Sequence, residues 1–215
     1  MSGPTYKNER ALIAKGRLFV AGVDEVGRGP LAGPVGVGAV ILDPKNLPKG
    51  LDDSKVLRAA RREELAAAIY ASAVAVSLAF ASVEEIDRLN IRGATLLAMA
   101  RAVAALAVKP HYALIDGCDT PPGLACPAHP IIGGDGLSLS IAAASIVAKV
   151  ARDALMTRLD LVHPGYGFAQ HAGYATREHT AALIRLGPCP LHRRSFKSKA
   201  LLERDSARQA DALEV

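Results

Sequence analysis

Tryptophan is absent from the 215 residues, and aromatic residues make up 4% of them. So few rings exclude a platform that stacks unpaired bases along a strand. Cysteine is also scarce. Cys118, Cys126 and Cys189 are odd in number and have no CxxC spacing, which excludes a disulfide framework. His163, His171, His179 and His192 lack the paired thiols of a structural zinc site. No apolar run approaches the ~20 residues of a membrane span. Ala11 to Val23 is interrupted by Lys15, Gly16 and Arg17, so no signal peptide is expected. These absences point to a reduced, cytoplasmic protein with no membrane partner.

Hydrophobic residues supply 50% of the chain and charged residues 22%. That is enough apolar material for a substantial core and excludes wholesale disorder. Lysine and arginine total 26 against 21 acids, a net charge of +5 that leans toward a polyanionic partner. The excess is concentrated. Residues 191–204 carry Arg193, Arg194, Lys197, Lys199 and Arg204 against Glu203, which makes a candidate strip for phosphate contacts.

The chain reads as one domain. Leu18–Val26 and Pro34–Leu42 are apolar strands joined by a Gly/Pro-rich turn, and 43–55 is a polar loop. A helix over Ala59–Tyr70 precedes a strand over Val74–Ala81. Two helices follow, Val83–Asn90 and Ala94–Leu106, split near Gly93. Short strands over Tyr112–Ile115 and Pro130–Ile132 lead to a long alanine-rich helix, Ser140–Leu159, and a last helix over Thr176–Leu186. The small residues Ala142, Ala143, Ala144, Ser145 and Ala148 would let that long helix approach a sheet closely. This order predicts an α/β mixed sheet, antiparallel at first and parallel later, flanked by helices. Residues 1–17 read as an N-terminal extension, 18–197 as the domain, and 198–215 as a polar tail.

Asp24 and Glu25 end the first apolar strand, where adjacent acids are costly to bury without a cation. Asp116 ends the strand Leu114-Ile115-Asp116 and is followed by Gly117. If the two strands are neighbours and parallel, these acids meet at the edge where open α/β sheets gather their sites. Asp135 lies in Gly133-Gly134-Asp135-Gly136, just before the long helix. Taken alone it reads as a turn aspartate or a group favoured by the helix dipole. Together the four form an oxygen-only set of the kind that hard cations such as Mg²⁺ and Mn²⁺ prefer, and that a two-metal phosphodiesterase needs. Asp153 lies four residues after Lys149 and reads as its ion-pair partner.

Gly27-Arg28-Gly29 follows the acid pair. Glycines admit a ligand close to backbone amides, and arginine suits phosphate. The segment is neither a Walker loop nor a Rossmann fingerprint. Ser54, Lys55, Ser138, Ser140, Lys149 and Arg152 are candidate backbone contacts, although Ser138 or Ser140 alone reads as a helix cap. Tyr174 could pack on a sugar or simply fill a core.

Ala21-Gly22-Val23-Asp24-Glu25-Val26-Gly27-Arg28-Gly29-Pro30-Leu31-Ala32-Gly33 closely resembles the opening signature of bacterial ribonuclease HII. Asp53-Ser54-Lys55, Ile115-Asp116-Gly117, the stretch Ser140–Val150, Tyr166-Gly167-Phe168 and His192-Arg193-Arg194-Ser195-Phe196 follow in the family's order. The resemblance implies an RNase H-like five-stranded sheet with a C-terminal helical region. It implies hydrolysis of RNA in RNA–DNA hybrids and incision at ribonucleotides embedded in duplex DNA, leaving a 3′-hydroxyl and a 5′-phosphate. Asp24, Glu25, Asp116 and Asp135 would hold Mg²⁺ or Mn²⁺. Gly27, Arg28 and Gly29 would sense the ribose 2′-hydroxyl, and Tyr174 would pack against the sugar. Ser54, Lys55, Ser138, Lys149 and Arg193 would contact substrate, and the enzyme would act as a monomer. Family members often read Lys-Gly-Asp where this chain has Gly133-Gly134-Asp135, carry a lysine near Leu137, and have lysine in place of Ala172 and Val56, which bears on affinity rather than on the metal ligands. The alternatives are a non-catalytic hybrid-binding module and a ribonuclease HIII-like enzyme. The latter carries an additional N-terminal domain, whereas about twenty residues precede the first strand here.

Overall fold

The structure, a computed structural model, describes residues 3–196. Strands form where β-branched and small apolar residues cluster between turn residues. β1 (Val20–Val26) pairs antiparallel with β2 (Val35–Ile41), which pairs antiparallel with β3 (Ala75–Ala81). β4 (Tyr112–Asp116) lies parallel to β1, and β5 (Ala128–Ile131) parallel to β4, giving the order β3-β2-β1-β4-β5. The expected mixed sheet is therefore present, with its antiparallel half first in the chain.

Strand alternation sends side chains to two cores. Ala21, Val23, Val37 and Ala39 pack beneath α3 (Val83–Ala104) with Ile86, Ala98 and Met99. On the other face Val40 and Leu42 meet α2 (Ala59–Ser72) and α4 (Leu139–Val162). α4 comes so close that a Cβ on Gly22 would overlap the backbone of Ser140, and one on Gly38 the carbonyl of Ala144. The alanines of α4 and the two strand glycines are thus matched halves of one contact. It holds Ser145 above the carboxyl end of β1.

α3 begins at a capping box formed by Ser82 and Glu85. Its break falls at Asn90, at φ 58°, three residues before the expected Gly93. The Asn90 side chain accepts a 3.0 Å bond from the Gly93 amide, so it starts the second half as an N-cap would. The N-terminal segment, expected as an extension, contains α1 (Lys7–Ile13), which packs on the domain. Glu9 is fully buried and its Oε1 accepts from Ser138 Oγ at 2.6 Å and Ser140 N at 2.9 Å.

The C-terminal region holds α5 (Phe168–His171) and α6 (Arg177–Leu186) around a small core of Tyr166, Phe168, Met156 and Ala182. Two buried histidines join its loops. His179 Nδ1 donates to the Tyr174 carbonyl at 2.8 Å, which leaves His179 Nε2 to accept from His192 Nε2 at 3.1 Å. His192 Nδ1 then accepts from the Cys189 amide at 3.0 Å. The expected tail at 198–215, and Lys197, Lys199, Glu203 and Arg204 of the basic strip, lie outside the described residues. Among the described residues no helix is long and apolar enough to cross a membrane.

Candidate active site

Parallel pairing of β1 with β4 sets Val23 opposite Ile115, so the next residues, Asp24 and Asp116, emerge side by side. Asp24, Glu25 and Asp116 each offer a carboxylate oxygen, and these oxygens lie within 4.8 Å of one another. Asp24 is buried beneath α4, and Glu25 and Asp116 are half-buried. Asp135 sits in a 3-10 turn (Gly134–Gly136) that precedes α4. The Gly134 amide donates to Asp116 Oδ1 at 2.6 Å, which ties that turn to β4. Asp135 Oδ2 accepts from Lys55 Nζ at 3.0 Å.

Asp24, Glu25 and Asp116 line one wall of an open cleft of about 490 Å³, bounded also by Gly27, Arg28, Gly29, Ser54, Lys55, Arg62, Ser145, Lys149 and Tyr174, and Asp135 is joined to it through Lys55. Ser54 and Ser145 hydroxyls lie 2.8 Å apart and fix the loop carrying Lys55 to α4. Lys149 pairs with Asp153 at 2.8 Å, as the spacing predicts. Arg28 Nη1 lies 3.4 Å from Glu25 Oε1.

Charge is poorly compensated at the acids. Burial, then the Glu25 and Asp116 carboxylates, push the Asp24 pKa well above its ordinary value. Burial raises Glu25, with Arg28 opposing, and burial followed by the Asp135 charge raises Asp116. Burial lowers the Lys55 ammonium, and its bond to Asp135 more than reverses this, so it is held firmly in the charged form. A cluster that burial and like charge drive toward protonation has room for a further cation.

Most of the expected site residues therefore share one cleft, but Asp135, Ser138, Ser140, Arg152 and Arg193 are not among the residues that line it. Ser138 is fully buried, and its hydroxyl caps α4 through Ile141 N while bonding Glu9, so it supports α4 rather than contacting a substrate. Arg193, expected on a surface strip, is 1% exposed. Its guanidinium is spent on the carbonyls of Gly27, Arg28 and Gly33, which removes it from phosphate. Ser145, in the alanine-rich stretch, and Arg62 were not among the expected site residues. Arg62 had no sequence signal beyond its place on a helix near the Ser54 loop.

An acid cluster at the carboxyl ends of two parallel strands, in a sheet of this order, defines a nuclease of RNase H-like fold. Solved structures agree. Ribonuclease H2 from Pyrococcus horikoshii OT3 superposes with a TM-score of 0.73 at 25% identity, over 89% of this chain and 99% of that one. RNase HII from Archaeoglobus fulgidus, in a complex with PCNA, gives 0.71 at 28% identity over 84% and 96%. The family profile of Ribonuclease HII matches residues 21–199. Ribonuclease HII of Ruegeria pomeroyi is 60% identical over 92% of this chain and 84% of its own length. That of Parvibaculum lavamentivorans is 58% identical over 90% and 71%. The chain belongs to the ribonuclease HII family. It is accordingly a metal-dependent type 2 ribonuclease H, an endonuclease, and its family acts on RNA–DNA hybrids.

Proposed function

We propose that Asp24, Glu25, Asp116 and Asp135 hold Mg²⁺ or Mn²⁺ and that this site cleaves the RNA strand of hybrids. It also incises duplex DNA at single embedded ribonucleotides, leaving a 3′-hydroxyl and a 5′-phosphate. The protein acts as a monomer in the cytoplasm. The observation that carries this reading is the approach of three carboxylates to within 4.8 Å at the floor of a cleft walled by basic residues. The donor set fits the ion: it is all carboxylate oxygen, partly buried, and short of positive charge.

A divalent ion there supplies the positive charge that lets a phosphodiester enter an acidic cleft and that eases loss of a proton from the attacking water. The chain's own groups do the rest. Lys55 and Lys149 attract the nucleic acid backbone, and Ser54 holds the Lys55 loop against α4. Gly27, Arg28 and Gly29 sense the 2′-hydroxyl that separates ribose from deoxyribose. Tyr174, 45% exposed beside Gly29, offers its ring to the sugar.

The test is a duplex carrying one ribonucleotide, incubated with Mg²⁺, with Mn²⁺ and with chelator. A single cut at the ribonucleotide, dependent on the ion and absent from the all-DNA duplex, is expected. Binding without cleavage under every condition would instead describe a hybrid-binding module.

A further inference from the structure

Arg193 was expected on the surface and is found beneath the Gly27–Gly29 turn. Its Nη2 donates to the Gly27 carbonyl at 2.6 Å, Nη1 to the Arg28 carbonyl at 2.9 Å, and Nε to the Gly33 carbonyl at 2.9 Å. Arg152, also fully buried, holds the far end of the same loop through the carbonyls of Ala32 and Pro34. Burial, then the nearby Arg152, lower the Arg193 pKa to about 9, which still leaves it cationic at neutral pH.

This arrangement has a stereochemical consequence. Across a planar trans peptide the carbonyl and the next residue's N–H point in opposite directions. Drawing the Gly27 carbonyl inward turns the Arg28 amide outward, and drawing the Arg28 carbonyl inward does the same to the Gly29 amide. Residues 27–29 line the cleft. Among the described residues neither amide donates a hydrogen bond. Two adjacent donors are therefore presented to the cleft by a charged group bonded behind them, which is the arrangement of a preorganised oxygen receptor.

We propose that Arg193 is a positioning residue for ribose selectivity: it fixes the Arg28 and Gly29 amides as donors to the oxygen that marks a ribonucleotide. The inference rests on the reading of Gly27–Gly29 as the 2′-hydroxyl sensor. It assigns that selectivity to a residue that touches no substrate. A lysine at 193 would keep the charge but lose the planar fork that engages three carbonyls at once.

Binding of two fluorescent duplexes, identical except for one ribonucleotide, tests this by anisotropy with Mg²⁺ in the Asp24→Asn background, where cleavage is suppressed. The parent should prefer the ribonucleotide duplex by roughly tenfold, the worth of one or two hydrogen bonds. Arg193→Lys should lose most of that preference while its affinity for the all-DNA duplex changes by less than about twofold. A preference in the parent that survives Arg193→Lys unchanged overturns this inference alone. No preference in the parent overturns both it and the sensor reading. Should Arg193→Lys not fold, the Arg28 and Gly29 amide resonances of the parent decide. Shifts produced by the ribonucleotide duplex and not by DNA support the proposal, and their absence overturns it.

Discussion

Two groups of buried charge flank the Gly27–Gly29 turn, and they are built on opposite terms. On one side Asp24, Glu25 and Asp116 crowd together, and burial raises the pKa of each. On the other, Arg152 and Arg193 are as deeply buried, yet their guanidiniums donate to six backbone carbonyls. A buried charge with its bonds made is structural, whereas one left short of partners is poised to take a ligand. The same residue types, placed in the same small region, thus divide into a scaffold and a reactive centre.

Replacing a member of each group should separate the two roles. Asp24→Asn removes several kcal/mol of stabilisation at the reacting phosphate, so cleavage should fall by roughly 10³-fold or more in a single-turnover assay. In chelator the same variant should unfold at a higher temperature than the parent, because a crowded carboxylate has gone. Arg152→Met should do the reverse. It strands the carbonyls of Ala32, Pro34 and Ala172, and urea unfolding should show a loss of about 3 kcal/mol.

Lys55 spans the comparison, since it pairs with Asp135 and still lies exposed along the cleft. Lys55→Met should weaken duplex binding and lower the slope of log affinity against log salt by about 0.9, one phosphate contact. An unchanged slope would confine Lys55 to its pairing with Asp135.

The smallest effect concerns acid. Burial, then the neighbouring His179, push His192 down to about 4, and burial lowers His179 as well. Unfolded histidines titrate near 6.5, so the unfolded chain binds protons first. The stability that this neutral pair contributes is present above about pH 6.5 and is lost as pH falls toward about 4. Melting temperatures measured across that window should decline, and His192→Asn should flatten the decline.

Much of this was legible in the sequence, for physical reasons. An acid pair ending an apolar strand has few explanations, and a second strand ending in Asp116 and glycine locates its partner. The small residues of α4 announced a close approach. The receiving residues, Gly22 and Gly38, were not read from the sequence, because a glycine inside a strand does not show which backbone approaches it until the helix is placed. Arg193 was misread because a cationic run looks solvated until the fold shows which carbonyls lack partners. The missed α1 has the same cause. Seven residues with no strong periodicity become a helix when Glu9 meets a buried backbone amide at the start of α4.

The central claim is that the acid cluster is incomplete until a divalent ion enters it. Titration of Mn²⁺ into nucleic acid-free protein, followed by electron paramagnetic resonance of the free ion, tests this most directly. The account predicts saturable binding by the parent protein that is lost or strongly weakened in Asp24→Asn and in Asp116→Asn. Equal binding by the parent and both variants would contradict it.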